Sequence, residues 1–247
     1  MLKATIDADI FRESIDVISA LVGECRLHIN ESGISTRAVD TSNVAMVSLE
    51  LDADAFQSYS ATEMEIGLDI AKMKNILGMV GKSDPIDLEL DPEGRKLQIS
   101  FRSYRYSISL LDTKTIRKDP NPPSLNLPAV VKITGDALNN AIKAAAVVSD
   151  KIALKVDPER SIFIMIAEGD TDNIKLELGK DDLEFVESAE ARSLFSLDYL
   201  KDMGKVIGRA DTVEIRLGID HPVQFIFTIA QEKGRVTYLL APRIEAD

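Results

Sequence analysis

Three carboxylate pairs offer the sequence its clearest opening to chemistry: Asp7 with Asp9, Asp52 with Asp54, and Asp181 with Asp182. Two acids side by side can hold Mg²⁺ or share general acid and base roles. Each pair, however, stands at the end of an alternating run or in front of a helical pattern, where aspartate caps and turns do the same job without catalysis. Cys25 lies in the alternating run Cys25-Arg26-Leu27-His28-Ile29 and reads as a buried structural thiol. One cysteine excludes an internal disulfide, and with His28 and His221 as the two histidines no Cys/His zinc site can be assembled. No glycine-rich phosphate loop, Gly-x-Ser-x-Gly elbow or His-Glu-x-x-His pattern occurs. The sequence therefore predicts no catalytic residue, no metal and no cofactor; a Mg²⁺-dependent carboxylate enzyme is the alternative that these acids keep open.

The second chemical signal is basic. Lys201, Lys205 and Arg209 recur every fourth residue and so share one face of a helix, with Gly208 predicting that the helix stops just before Arg209. Lys74 and Lys82 stand 127 residues before Lys201 and Arg209, Lys72 lies beside them, and Arg12 and Lys143 sit on the polar faces of two further helical patterns. Such a set can contact phosphate. It is mixed with Glu13, Asp16, Asp69, Asp198 and Asp202, and lysine on a solvated helix face is ordinary. The whole chain is acidic, 29 Lys plus Arg against 41 Asp plus Glu for a net charge of −12. That balance excludes a conventional basic-patch nucleic-acid binder.

The elements that must place these side chains come from an internal repeat. Val47-Ser48-Leu49-Glu50-Leu51 returns as Ile174-Lys175-Leu176-Glu177-Leu178, and Ile86-Asp87-Leu88-Glu89-Leu90 as Val213-Glu214-Ile215-Arg216-Leu217, both displaced by 127 residues (47 to 174, 86 to 213). A period of half the chain means a duplicated domain, not a solenoid. Residues 1–114 and 130–247 are the expected domains, joined by a connector at 115–129 whose Pro120, Pro122, Pro123 and Pro128 forbid helix interior and central strand. In each half two amphipathic helices alternate with strands. Phe11, Ile15, Ile18 and Val22 give the first helix, answered by Leu138, Ile142 and Ala145. Ile70, Met73, Leu77 and Val80 give the second, answered by Leu200, Met203 and Ile207. Glu31-Ser32-Gly33, Asp91-Pro92-Glu93-Gly94, Asp157-Pro158-Glu159-Arg160 and Glu232-Lys233-Gly234 are hairpin signals. The expected fold class is α+β, two duplicated domains each with antiparallel sheets and two helices. No run of about 20 apolar residues predicts a membrane span, and the N-terminus has no signal-peptide pattern.

Two segments carry a family resemblance. Ala38-Val39-Asp40-Thr41-Ser42-Asn43-Val44-Ala45-Met46-Val47 resembles the Asp-x-Ser-x-Val loop of the archaeal and eukaryotic DNA sliding clamp, proliferating cell nuclear antigen. Leu239-Leu240-Ala241-Pro242-Arg243-Ile244-Glu245 is similar to that family's Tyr-Leu-Ala-Pro-Lys-Ile-Glu. With the duplicated halves and the proline-bearing connector, the resemblance spans the chain and is archaeal in type. It implies a DNA-clamp fold closing into a homotrimeric ring around duplex DNA, with a subunit of a heterotrimeric clamp as the alternative within the class. It implies DNA contacts without sequence preference from Arg12, Lys72, Lys74, Lys82, Lys143, Lys201, Lys205 and Arg209. It also implies a processivity factor, cytoplasmic and nucleoid-associated, that tethers DNA polymerase, flap nuclease and ligase and depends on a separate clamp loader.

The same resemblance assigns subunit joining to edge strands carrying Tyr104, Tyr106 and Ile108 on one side and Ile174, Leu176 and Leu178 on the other, unless those strands pair internally. Partner peptides of the form Gln-x-x-aliphatic-x-x-aromatic-aromatic would dock on Val39, Asn43, Val44, Met46, Pro120, Pro122, Pro222, Leu239, Ala241, Pro242 and Ile244. Leu239 stands where relatives carry an aromatic residue, and Asn43 where a histidine is frequent.

Overall fold

The computed structural model describes residues 1–90 and 95–244, Val186 by its backbone alone. The hairpin signal at Asp91–Gly94 and the terminal Glu245 lie outside the described residues. The first half runs β1 (Leu2–Asp7), α1 (Ala8–Ser19), β2 (Glu24–Asn30), β3 (Gly33–Val39), β4 (Ala45–Asp52), a 3-10 turn at Ala53–Ala55, β5 (Ser58–Ala61), β6 (Met64–Asp69), α2 (Ile70–Leu77), β7 (Pro85–Leu90), β8 (Lys96–Phe101) and β9 (Tyr104–Ser109). The second repeats that order: β10 (Ala129–Ile133), α3 (Gly135–Val148), β11 (Lys151–Asp157), β12 (Ile162–Glu168), β13 (Asn173–Leu178), β14 (Glu184–Glu187), β15 (Ala191–Ser196), α4 (Leu197–Ile207), β16 (Val213–Leu217), β17 (Val223–Ile229) and β18 (Gly234–Leu240).

The duplication extends to sheet topology. Strands β5-β1-β7-β8-β9 lie side by side in that order, and so do β14-β10-β16-β17-β18; β4-β3-β2-β6 has its counterpart in β13-β12-β11-β15. Register is conserved as well: Cys25 stands opposite Leu68, and Ile152, 127 residues on, stands opposite Phe195. The hydrophobic pattern accounts for this agreement, because a slip of one residue would turn every buried side chain of a strand to the wrong face. By contacts the chain divides into two compact units. The first holds Met1–Thr41, Val47–Asn121 and Thr228–Val236; the second holds Ser42–Met46, Pro122–Phe227 and the residues from Thr237 on.

Within each unit the two helices pack on one another, α1 on α2 and α3 on α4. Phe11, Ile15 and Ile18 of α1 and Ile70, Met73 and Leu77 of α2 are buried, as are Leu138, Ile142 and Ala145 of α3 and Leu200, Met203 and Ile207 of α4. Val22 and Val80, expected inside helices, fall just beyond their ends. Asp69 caps α2 by accepting the amide of Lys72 at 2.8 Å, and Thr134 caps α3 through Ala137 at 3.3 Å.

Helix α4 does end at Gly208, but not through a left-handed cap, since its φ is −60°. Glycine suits the close approach there: a Cβ would stand 2.7 Å from the end of the Asn139 side-chain amide on α3. The expected hairpin at Glu232–Gly234 is a turn over 230–233 in which Ala230, Gln231 and Glu232 all have positive φ (53°, 55° and 70°). From Arg117 to Pro128 the connector has neither helix nor strand.

Candidate nucleic-acid and peptide interfaces

Three of the six paired acids, Asp7, Asp9 and Asp182, hold local structure through their side chains. Asp7 precedes α1 and accepts from Gln57, while Asp9 accepts from Arg12 and from the amide and hydroxyl of Ser83. Asp52 stands at the start of the 3-10 turn, and Asp182 accepts the amide of Gly179 at 3.1 Å. Among the described residues no three His, Cys, Asp or Glu side chains converge in a way that could hold a metal ion. Cys25 is buried, and removal from water pushes its thiol up to about 12.

The basic residues separate into groups that sequence spacing had treated alike. In the second unit Lys143 of α3 and Lys201 and Lys205 of α4 line one groove of about 440 Å³, together with Asn139, Asp198 and Asp202. Lys201 Nζ lies 2.8 Å from Asp198 and Lys205 Nζ 2.7 Å from Asp202, each acid three residues earlier on the same helix face. Donating to the Asp198 carboxylate holds the Lys201 ammonium above its ordinary pKa, so the lysine stays charged. Lys143 comes within 3.2 Å of the Asn139 side-chain oxygen once that amide is turned to satisfy both neighbours. Arg209 is exposed just past α4.

In the first unit Lys72 and Lys82 are exposed and form no ion pair among the described residues. Lys74 reaches Asp16 at 3.1 Å and Ser19 at 3.0 Å. Arg12 departs from expectation. Its guanidinium donates to Asp9 at 2.7 Å and to the carbonyls of Leu77 at 3.1 Å and Val80 at 3.0 Å, satisfying the open end of α2. It is a cap between two helices, and nothing in its spacing announced that.

Among the described residues, strands β9 and β13 are each paired on one side alone, β9 with β8 and β13 with β12. The outer edges of β6 and β15 are met by bridges from Leu111 and Ile219, and the edge strands β5 and β14 are four residues long. Among the described residues the long unpaired edges are therefore those of β9 and β13. Tyr104 is exposed, Tyr106 is half-buried and stacks on Phe101 with ring centres 5.8 Å apart, and Ile174, Leu176 and Leu178 are half-buried. Ile108 is instead a core residue at 4% exposure, so it can serve a neighbour through its backbone but not its side chain.

Of the peptide-docking residues, Val39 and Pro120 belong to the first unit, both half-buried. The others belong to the second. There the Ala241 amide donates to the Val44 carbonyl at 2.9 Å, bringing the terminal segment against the loop of Asn43 and Val44. Asn43 holds φ at 57°, a left-handed conformation that asparagine tolerates. Leu239, Ala241, Pro242 and Pro222 are half-buried, Pro122 is exposed, and Ile244 is 90% exposed, an aliphatic side chain left in water. Met46, at 7% exposure, belongs to the core rather than to a surface pocket. Arg243 anchors the segment by donating to Asp150 at 2.7 Å, and that bond holds the Asp150 carboxyl below its ordinary pKa.

Three comparisons place this arrangement. Residues 1–119 match the family model described as proliferating cell nuclear antigen, N-terminal domain. The chain is 68% identical to a DNA polymerase sliding clamp of Methanoculleus marisnigri and 66% identical to one of Methanosphaerula palustris, in each case over 100% of both chains. Among solved structures it is similar to A. fulgidus PCNA bound to the C-terminal region of FEN-1, with 36% identity, a TM-score of 0.94 and all of both chains covered. It is also similar to the PCNA of Thermococcus kodakaraensis, with 27% identity, a TM-score of 0.88, and 98% and 100% of the two chains covered. With identity this high across its whole length, the chain belongs to the proliferating cell nuclear antigen family of DNA polymerase sliding clamps.

Proposed function

We propose that this chain is a sliding clamp: three copies close into a ring around duplex DNA and tether DNA polymerase, flap nuclease, ligase and the clamp loader through short peptides. It works in the cytoplasm at the nucleoid and is a processivity factor, not an enzyme. The observation that carries this reading is the match to sliding clamps over the full length of both halves. Residues 1–114 and 130–247 act as the two clamp domains and 115–129 as their connector. A ring that must slide needs phosphate contacts that are few, weak and blind to sequence, with retention supplied by topology. The modest α3–α4 groove, with Lys143, Lys201 and Lys205, suits that task, and Lys72, Lys74, Lys82 and Arg209 extend the track.

Long unpaired edges such as β9 and β13 are an aggregation hazard in a lone subunit, and head-to-tail pairing that closes at three removes them. Partner peptides lay their aromatic end on the terminal segment, at Leu239, Ala241, Pro242 and the exposed Ile244. Among the described residues no helix is long and apolar enough to cross a membrane.

The reading is tested by light scattering on the purified chain and by retention on circular primed DNA. We expect a mass of three 27.1 kDa chains, with loader-dependent retention that is lost when the circle is cut. A persistent monomer, or equal retention on linear DNA, would overturn it.

A further inference from the structure

One cavity of the first unit, about 180 Å³ in volume, is walled by the residues that follow α1, the start of β2, the end of β3 and connector residues 116–118. Its lining carries four cations against the single acid Glu24, a local reversal of sign in a chain of net charge −12. One of the four, Arg117, is already engaged, donating to the Asp40 carbonyl at 2.7 Å. The other three bring donors from three separate segments. Arg26 of β2 donates to Glu65 at 3.2 Å and to the Ile116 carbonyl at 2.8 Å, and its buried Nε is a donor with no acceptor among the described residues. Arg37 of β3 and Lys118 of the connector form no ion pair among the described residues.

Size and donors together limit what such a site can take. The volume is below the roughly 300 Å³ at which small-molecule sites begin, so a nucleotide or coenzyme is too large. Guanidinium forks and an ammonium match the several oxygens of a tetrahedral oxyanion. Val39 and Ile116 contribute apolar wall, which strengthens charge-assisted hydrogen bonds made beside it. We propose that this cavity binds a free inorganic oxyanion of the phosphate class, held between Arg26, Arg37 and Lys118. So placed, the anion ties the connector at Lys118 to β2 and β3. Two ties of the same segment lie close by: the Arg26 bond to the Ile116 carbonyl, and His28 Nε2 facing Asp119 Oδ2 at 2.6 Å. Occupancy therefore fixes the start of the connector to the body of the first unit, and the ion's concentration controls how firmly that segment is held. This site needs neither ring closure nor peptide docking.

The test titrates the full chain with sodium phosphate at pH 8 by calorimetry, with sodium chloride adjusted to hold ionic strength constant. We expect saturation at one phosphate per chain, and an affinity at least about tenfold lower in Arg37→Ala with Lys118→Ala. Lys118→Glu alone, at an exposed position, should weaken binding as well and serves if the double variant fails to fold. The second readout is limited trypsin cleavage after Arg117 and Lys118, followed by mass spectrometry. Phosphate should slow that cleavage in the wild-type chain and leave it unchanged in Arg37→Ala, which keeps both cleavage sites. Calorimetry that never saturates would mean an adventitious ion only and would overturn the proposal. Saturable binding that survives in both variants, or that disappears instead in Lys201→Ala with Lys205→Ala, would place the anion elsewhere and overturn it too. Saturable binding lost in both variants but with unchanged cleavage would overturn the fixing of the connector.

Discussion

The α3–α4 groove makes a prediction that runs against the habit of removing lysines. Lys201 and Lys205 are held at 2.8 and 2.7 Å by Asp198 and Asp202, so the groove's three lysines act against two aspartates. Changing Asp198→Asn with Asp202→Asn releases both ammonium groups without altering their length or the helix. If each then reaches one phosphate, the slope of log K against log salt steepens by about 0.9 per contact, or about 1.8 per chain. Between 50 and 200 mM salt, a fourfold range, the loss of affinity should then grow about 3.5-fold per contact and about 12-fold for the pair. The assay is anisotropy of a short labelled duplex across that range, beside Lys201→Ala with Lys205→Ala, which should flatten the slope where wild-type contacts already exist. Both pairs lie on exposed helix surface, so an unchanged melting curve is the control. A slope and affinity that neither double variant moves would take these lysines off the DNA path and refute the argument.

Two further outcomes follow from packing. Gly135 opens α3, and a Cβ there would strike the carbonyl of Ile207 and stand 2.6 Å from that of Ala210, both of them backbone. Gly135→Ala should therefore destabilise the second unit by about 1–3 kcal/mol, read by calorimetry as a melting point lower by on the order of 3–10 °C. The first unit carries Ala8 at the equivalent place, fully buried, so Ala8→Gly should be far milder, and equal effects would refute the close-approach explanation. Cys25, with its thiol raised to about 12 by burial, should present only about one thiolate in ten thousand at pH 8. It should resist a disulfide reagent in the native chain and react at once in denaturant, and rapid native labelling would contradict its burial.

Much of the fold could be read before any coordinates because its signals are local. The 127-residue offset placed β2 on β11 and β6 on β15 residue for residue, and the helical spacing of Phe11, Ile15 and Ile18 or of Leu200, Met203 and Ile207 named the buried faces. Periods of 2 and 3.6 residues survive in a linear text since each is set by the geometry of a single element. Even the pairing of Lys201 with Asp198 and Lys205 with Asp202 could have been anticipated from the spacing of three.

Other assignments depended on segments far apart in the chain. Arg12 looks like any lysine or arginine on a polar helix face until the end of α2, some 65 residues away, supplies two carbonyls that need a donor. Ile108 and Met46 alternate like surface residues of an edge and a loop, yet their neighbours remove them from water. Arg26, Arg37, Arg117 and Lys118 line one cavity of the first unit, although they form no motif in sequence. Sequence alone therefore determined the duplication, the elements and the family, through periodicity and resemblance. Tertiary structure decided which charges are already spent, which strand edges remain open and where cations converge, because burial and pairing belong to contacts between distant segments.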